Sequence, residues 1–103
     1  MTLDEYQRLA LRTYKGPSGT HQLINAALGL AGESGEVADQ VKKFQYPSKP
    51  GDGGRTYQNL VEELGDVLWY AALLADAIGT TLDDVAGGNI AKLAARHNVT
   101  EAG

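Results

Sequence analysis

Wound at about 100° per residue, the chain separates into four stretches whose apolar positions recur with helical period. Thr2-Leu3-Asp4-Glu5 reads as a capping box, the Thr hydroxyl accepting from the amide three residues on and Glu5 reaching back. It opens a short helix to about Tyr14, with Tyr6, Leu9, Ala10 and Thr13 along its inner side. Lys15-Gly16-Pro17-Ser18-Gly19 ends it, because glycine and proline together break helices. Thr20 is the expected N-cap of a long second helix running to about Phe44. Residues 20–43 carry an apolar side of Leu23, Ile24, Ala27, Leu30, Ala31, Val37, Ala38 and Val41. Gln22, Asn25, Gly29, Glu33, Glu36, Gln40 and Lys43 form the polar side, the distribution of a surface helix.

Pro47, Pro50, Gly51, Gly53 and Gly54 predict no regular element over residues 45–55. This loop reads either as a plain connection between helices or as a flap with Lys49 and Arg55 within reach of phosphates. Thr56 is expected to cap a third helix ending at Ile78, with Gly79 at the C′ position. Thr81-Leu82-Asp83-Asp84 is a second capping box with Asp in place of Glu, opening a last helix over about 82–96. That helix has Leu82, Ala86, Ile90 and Leu93 on one side and Val85, Asn89, Lys92 and Arg96 along a flank, and Gly87-Gly88 weaken its continuity. The pattern predicts an all-α fold, a small bundle of about four helices in a single domain over residues 1–103. On the third helix Leu60, Leu64, Val67, Leu68, Ala71, Leu74, Ala75 and Ile78 spread over far more than one stripe. One neighbour cannot bury them all, so the bundle is expected to be completed by a homo-oligomer, at least a dimer.

Two acidic stretches interrupt this pattern. Gly32-Glu33-Ser34-Gly35-Glu36 and Glu62-Glu63-Leu64-Gly65-Asp66 each hold two carboxylates three apart, one turn apart on a helix. Glu63 and Asp66 share a stripe with Asn59, Tyr70, Leu74 and Ala77, while Glu62 and Asp76 fall on another side. Acids on a core-facing stripe are costly unless a cation or hydrogen-bond donors compensate them. Gly29, Gly32 and Gly35 point the same way for the first pair, since a glycine inside a helix usually marks close approach by a backbone or a ligand.

Composition narrows the chemistry. With no cysteine and only two histidines, His21 and His97, thiolate sites are impossible, and neither histidine stands three residues after a glutamate as a di-iron carboxylate centre requires. No Ser/His/Asp arrangement and no phosphate-binding Gly-rich loop is present; His21, at a helix start, reads as a surface residue. Four carboxylates favour hard Mg²⁺, with Mn²⁺ as a possible substitute, over zinc or copper. The chemistry that remains is metal-assisted hydrolysis. A net charge of −4 and a pI near 5.0 argue against nucleic-acid polymers but not against a small phosphorylated substrate bridged by a metal. No secretory leader and no long apolar run is seen, so a soluble, cytoplasmic protein without membrane contact is expected.

Gly29-Leu30-Ala31-Gly32-Glu33-Ser34-Gly35-Glu36-Val37-Ala38, followed by Glu62-Glu63-Leu64-Gly65-Asp66-Val67-Leu68-Trp69-Tyr70, resembles the MazG-like nucleotide pyrophosphohydrolases of the all-α NTP pyrophosphatase superfamily. Their pattern, Glu-x-x-Glu, a variable spacer, then Glu-x-x-Asp, matches Glu33, Glu36, Glu63 and Asp66, and the resemblance runs from about Leu23 to Arg96. It implies Mg²⁺ held by those four acids and hydrolysis of a nucleoside triphosphate, a dNTP by preference, to monophosphate and pyrophosphate, in nucleotide-pool control or house-cleaning. It also implies a dimer, or a tetramer built from dimers. Asn89 and Lys92 match a family Asn-x-x-Lys segment associated with binding nucleotide. The stripe of Gln22 and Asn25 suits the base or sugar, Tyr70 or Trp69 offers a stacking surface, and Lys92 and Lys43 are candidates for stabilising phosphate charge. The chain has one module where large members have two, so their regulation does not carry over, and relatives acting on dUTP, dCTP or phosphoribosyl-ATP leave the base open. Two further readings are a phosphoribosyl-ATP pyrophosphohydrolase and a non-catalytic helical interaction module of the same fold. Presence of all four acids favours an enzyme.

Overall fold

The computed structural model describes residues 1–100, and among them the chain forms four α-helices and no strand: α1 Leu3–Leu11, α2 Thr20–Gln45, α3 Thr56–Ala77 and α4 Leu82–His97. The threonine N-caps of both predicted capping boxes form. Thr2 Oγ1 accepts from the Glu5 amide at 3.1 Å and donates to Glu5 Oε1, and Thr81 Oγ1 accepts from the Asp84 amide at 3.1 Å. Gly79 takes φ +83° after α3, with Thr80 N–H donating to Ala75 O and Gly79 N–H to Asp76 O, a Schellman ending. α4 runs through Gly87-Gly88 without a break and stops at Asn98 in the left-handed region.

Three boundaries differ from the expected ones. α1 stops at Leu11 because the Thr13 amide and hydroxyl both take the Ala10 carbonyl, closing a tight turn. Thr20 and Thr56 lie inside their helices, and the caps are Gly19, at φ +77°, and Arg55. Thr56 Oγ1 instead donates back to Gly53 O in the loop.

α2 and α3 form a long antiparallel hairpin, α1 packs on α3, and α4 packs on α1 and α3 without meeting α2. The small core gathers at the C-terminal half of α3, where Ala10, Ala72, Ala75 and Leu82 meet Leu3, Tyr6, Trp69 and Ala71. Two buried glutamines tie this end. The Gln7 amide nitrogen donates to Ala72 O and Thr80 O, and its oxygen accepts from Leu82 N–H at 2.7 Å, joining three helices. Gln22 Nε2 donates to Leu73 O and Asp76 Oδ2. The Trp69 indole N–H donates to Ala10 O and Thr13 Oγ1, anchoring α1 rather than offering a stacking face.

α2 is turned the opposite way from a surface helix. Its polar positions Gln22, Gly29, Glu33, Gln40 and Lys43 are covered or half-buried along α3, while Leu23, Ile24, Leu28, Val41 and Phe44 stand exposed. On α3 an apolar concavity of about 510 Å³ lies bare between Val61, Leu64, Gly65, Val67, Leu68 and Ala71. The single chain exposes 7271 Å², whereas a compact monomer of its 10.9 kDa exposes about 5,600 Å². Its radius of gyration is 16.6 Å against about 13 Å for a compact domain of this length. Among the described residues, no helix is long and apolar enough to cross a membrane.

Candidate active site

The facing sides of α2 and α3 make a seam whose order follows from antiparallel pairing. At one end Gln22 meets Leu73 and Asp76. One helical turn before the acids, Tyr70 packs its ring where a Cβ on Gly29 would fall within 2.1 Å of it, so only glycine fits there. That contact brings the helices close enough for their carboxylates to meet. Gly32 and Gly35, expected to mark a close approach as well, face open space within this chain.

Next along the seam, Glu33 from α2 and Glu63 and Asp66 from α3 bring one carboxylate oxygen each within 4.8 Å of one another. Glu33 and Glu63 are half-buried and Asp66 is exposed, so the α3 pair lies against the neighbouring helix rather than in the core as its stripe predicted. Glu36 stands outside this trio and is exposed; three residues of helix turn it about 60° away from Glu33, toward the side of Lys43. A shared hydrogen bond with Glu33 pushes the Glu63 carboxyl up, and partial burial and the charges of Glu33, Asp66 and Glu62 push it further. No cation from the chain sits among these acids: the single ion pair among the described residues joins Lys43 to Asp39 at 3.0 Å. An all-oxygen, all-anionic donor set with no histidine beside it suits a hard divalent ion.

Tyr6, which sequence reasoning passed over, reaches the site's flank from α1. Burial raises its phenol, and the charge of Asp66 adds to the shift. Its helical position marked it only as an inner residue.

Beyond the acids, Asn59 Nδ2 donates to Gln40 Oε1 at 2.9 Å, bridging the helices one turn further on. The seam then opens into a polar cavity of about 250 Å³ under the 46–55 loop, lined by Gln40, Lys43, Asp52, Arg55 and Asn59. The loop is pinned rather than free. Asp52 accepts from Ser48 N–H, Ser48 Oγ–H and Lys49 N–H, bonds that hold its carboxyl below the usual range, the Ser48 amide foremost. Gly53, at φ +83°, lies so close to Phe44 that a Cβ would come within 3.2 Å of its Cα.

The remaining expected substrate contacts are dispersed. Gln22 is buried, with its amide nitrogen donating to Leu73 O and Asp76 Oδ2. Asn25 is exposed on α2, and Tyr70 is half-buried over Gly29 with its edge to Trp69. Asn89 and Lys92 are exposed on α4, which does not meet α2. Another concavity, of about 560 Å³, lies at the other end of α3 between α1 and the α3–α4 turn. Arg8, Arg12, Asp4 and Asp76 line it, so its formal charges balance, and it holds none of the converging acids.

The family described as MazG nucleotide pyrophosphohydrolase domain matches residues 20–100, which span α2, the loop, α3 and α4. Gene 37 protein of Mycobacterium phage L5 is 38% identical over 104 aligned positions, covering 93% of this chain and 89% of that protein. Uncharacterized protein YvdC of Bacillus subtilis (strain 168) is 35% identical over 72 positions, covering 65% of this chain and 68% of its own. No solved structure matches significantly.

Proposed function

The chain belongs to the MazG nucleotide pyrophosphohydrolase domain family, and from that premise we propose that it hydrolyses a nucleoside triphosphate, by preference a dNTP, to the monophosphate and pyrophosphate. Hydrolase chemistry of the pyrophosphohydrolase type follows from the family. The Mg²⁺ dependence, the substrate and a role in nucleotide-pool control or house-cleaning are our reading. The observation that carries it is the convergence of Glu33, Glu63 and Asp66 from two helices within 4.8 Å with no protein cation between them.

These three carboxylates would hold the metal, with Glu36 as a fourth candidate from the next turn of α2. A Mg²⁺ held there, or Mn²⁺ in its place, would supply a water of lowered pKa and offset charge on phosphoryl oxygens. The chain's own part is to fix the carboxylates. Tyr70 on Gly29 sets the helix spacing, and Gln40–Asn59 ties the next turn, so the acids need little reorganisation when a substrate arrives. Hydrolysis joins the water oxygen to the α-phosphorus, breaks its bond to the bridging oxygen, and sends that electron pair out with pyrophosphate.

The working unit in this reading is a homo-oligomer, a dimer or a tetramer. The inverted α2 and the bare concavity on α3 leave apolar surface that another copy's hairpin would cover. Such a partner is also the natural means of bringing Asn89 and Lys92 of one chain toward the acids of another. Incubation with a panel of NTPs and dNTPs, with and without Mg²⁺, tests the activity. Release of orthophosphate with a nucleoside diphosphate, or no metal-dependent turnover of any member, counts against it.

A further inference from the structure

We propose that the polar cavity under the 46–55 loop is the subsite for the terminal phosphates of the substrate, and hence for the leaving pyrophosphate, with Arg55 as its principal cation and Lys43 as its second. The proposal rests on the triphosphate hydrolysis argued above and assigns the direction in which the polyphosphate lies.

Three observations carry it. First, the cavity continues the acidic seam: Gln40 lies seven residues beyond Glu33, and Asn59 four and seven before Glu63 and Asp66, so these side chains share the facing sides of the two helices. A chain of phosphates leaving the acids in this direction meets amide groups and then two cations. In the other direction it meets the Tyr70 ring and a sealed core. Second, among the described residues Arg55 makes no ion pair, whereas Lys43 is shared with Asp39. The one carboxylate in the lining, Asp52, is turned to the Ser48 and Lys49 amides, so it does not neutralise the guanidinium directly. Third, the reach is suitable. Arg55 stands eight residues before Glu63, about 12 Å along the helix. The long arginine side chain, two phosphoryl units and the bonds between them share that gap. Arginine is also suited to grip adjacent phosphate oxygens with two parallel N–H groups.

Arg55 caps α3 without a side-chain hydrogen bond, so its removal takes no bond from the helix. Binding of inorganic pyrophosphate and, separately, of nucleoside monophosphate to the full chain with Mg²⁺, measured by calorimetry, is the test. In Arg55→Ala, pyrophosphate affinity should fall about tenfold or more, the scale of a charge-assisted hydrogen bond, with monophosphate affinity unchanged. Arg55→Lys should recover part of the loss, and Lys43→Ala should give a smaller one. Circular dichroism and the melting temperature confirm that each variant is folded. Unchanged pyrophosphate binding in folded Arg55→Ala overturns the subsite, as does an equal loss for the monophosphate, which would place the nucleoside end there. Absence of pyrophosphate binding by the unaltered protein overturns it too. Failure of the activity itself is read separately, from the NTP panel: a protein that binds pyrophosphate through Arg55 yet turns over no triphosphate keeps the subsite and loses the reaction.

Discussion

The two halves of α3 are built for opposite purposes. Its C-terminal half is the most buried part of the molecule: Ala72, Leu73 and Ala75 are covered, and the polar groups beside them are satisfied by Gln7 and Gln22. Its N-terminal half carries Glu63 and Asp66 against Glu33 on one side, while on the other Val61 and Leu64 are more than half exposed, Leu64 at 63%. One end spends its hydrogen bonds and apolar contacts within the chain. The other keeps like charges together and an apolar face bare. Burial and satisfied polar groups mark where the fold is fixed, and their absence marks where ligand and partner are expected.

The contrast breaks most sharply at Asp66. Asp66→Asn removes one charge of the trio without changing its shape, so turnover should fall by more than about a hundredfold through loss of a metal ligand. Helicity by circular dichroism should be unchanged, and the metal-free melting temperature should stay level or rise, because repulsion is relieved. Near-normal Mg²⁺-dependent rates in this variant would remove Asp66 from the site.

Leu64→Lys places a charge on the bare face without touching the seam. If a second copy covers that face, light scattering at micromolar protein should show the mass fall toward 10.9 kDa, with activity lost on dilution. An unaltered protein that is a fully active monomer would show instead that this face needs no cover.

At the other end, Gln7→Ala should leave the buried Leu82 amide without its acceptor, costing about 1–3 kcal/mol. At roughly 4–8 °C per kcal/mol for a domain of this size, the melting temperature should drop visibly while kcat per folded molecule stays the same. A kcat that falls with no change in melting temperature would reverse the assignment of the two halves.

Much of this division was legible in the sequence, for local reasons. Thr2, Thr81 and Gly79 mark helix ends because caps depend on residues a few positions away. Glu33 could be paired with Glu36, and Glu63 with Asp66, because carboxylates one turn apart are neighbours on a helix whatever covers them. What periodicity could not supply was the occupant of each face. Gln22 sat among the polar residues of α2 and read as a substrate contact, yet it is among the most buried side chains, because two backbone and side-chain oxygens of α3 satisfy its amide. The apolar side of α2 read as the inner one and faces outward in the single chain. Glu36 shares a sequence motif with Glu33 but not its direction, since the helix turns between them.

The smallest effect expected is also the most specific to the acidic end. The Glu63 carboxyl lies above its ordinary value of 4.5, so between 4.5 and that raised value the folded chain binds more protons than the unfolded one. The Glu63 contribution to stability of the metal-free protein should therefore be fully present below 4.5, where both states are protonated, fall as pH climbs through this window, and stay lowered above it. Asp52 has the opposite sign and a separate window: its depressed carboxyl stabilises the fold above its ordinary 3.8 and loses that contribution only as pH falls below it. Thermal melts in EDTA from about pH 4 to 8 should resolve the decline, because the two windows do not overlap. Glu33→Gln should flatten it, since an amide in place of Glu33 donates to Glu63 and removes a neighbouring charge. Mg²⁺ should erase it at neutral pH, where the cation takes the place of the shared proton. Metal-free stability that rises through the window, or a decline that survives in Glu33→Gln, would mean that the carboxylates of α2 and α3 do not act as one site.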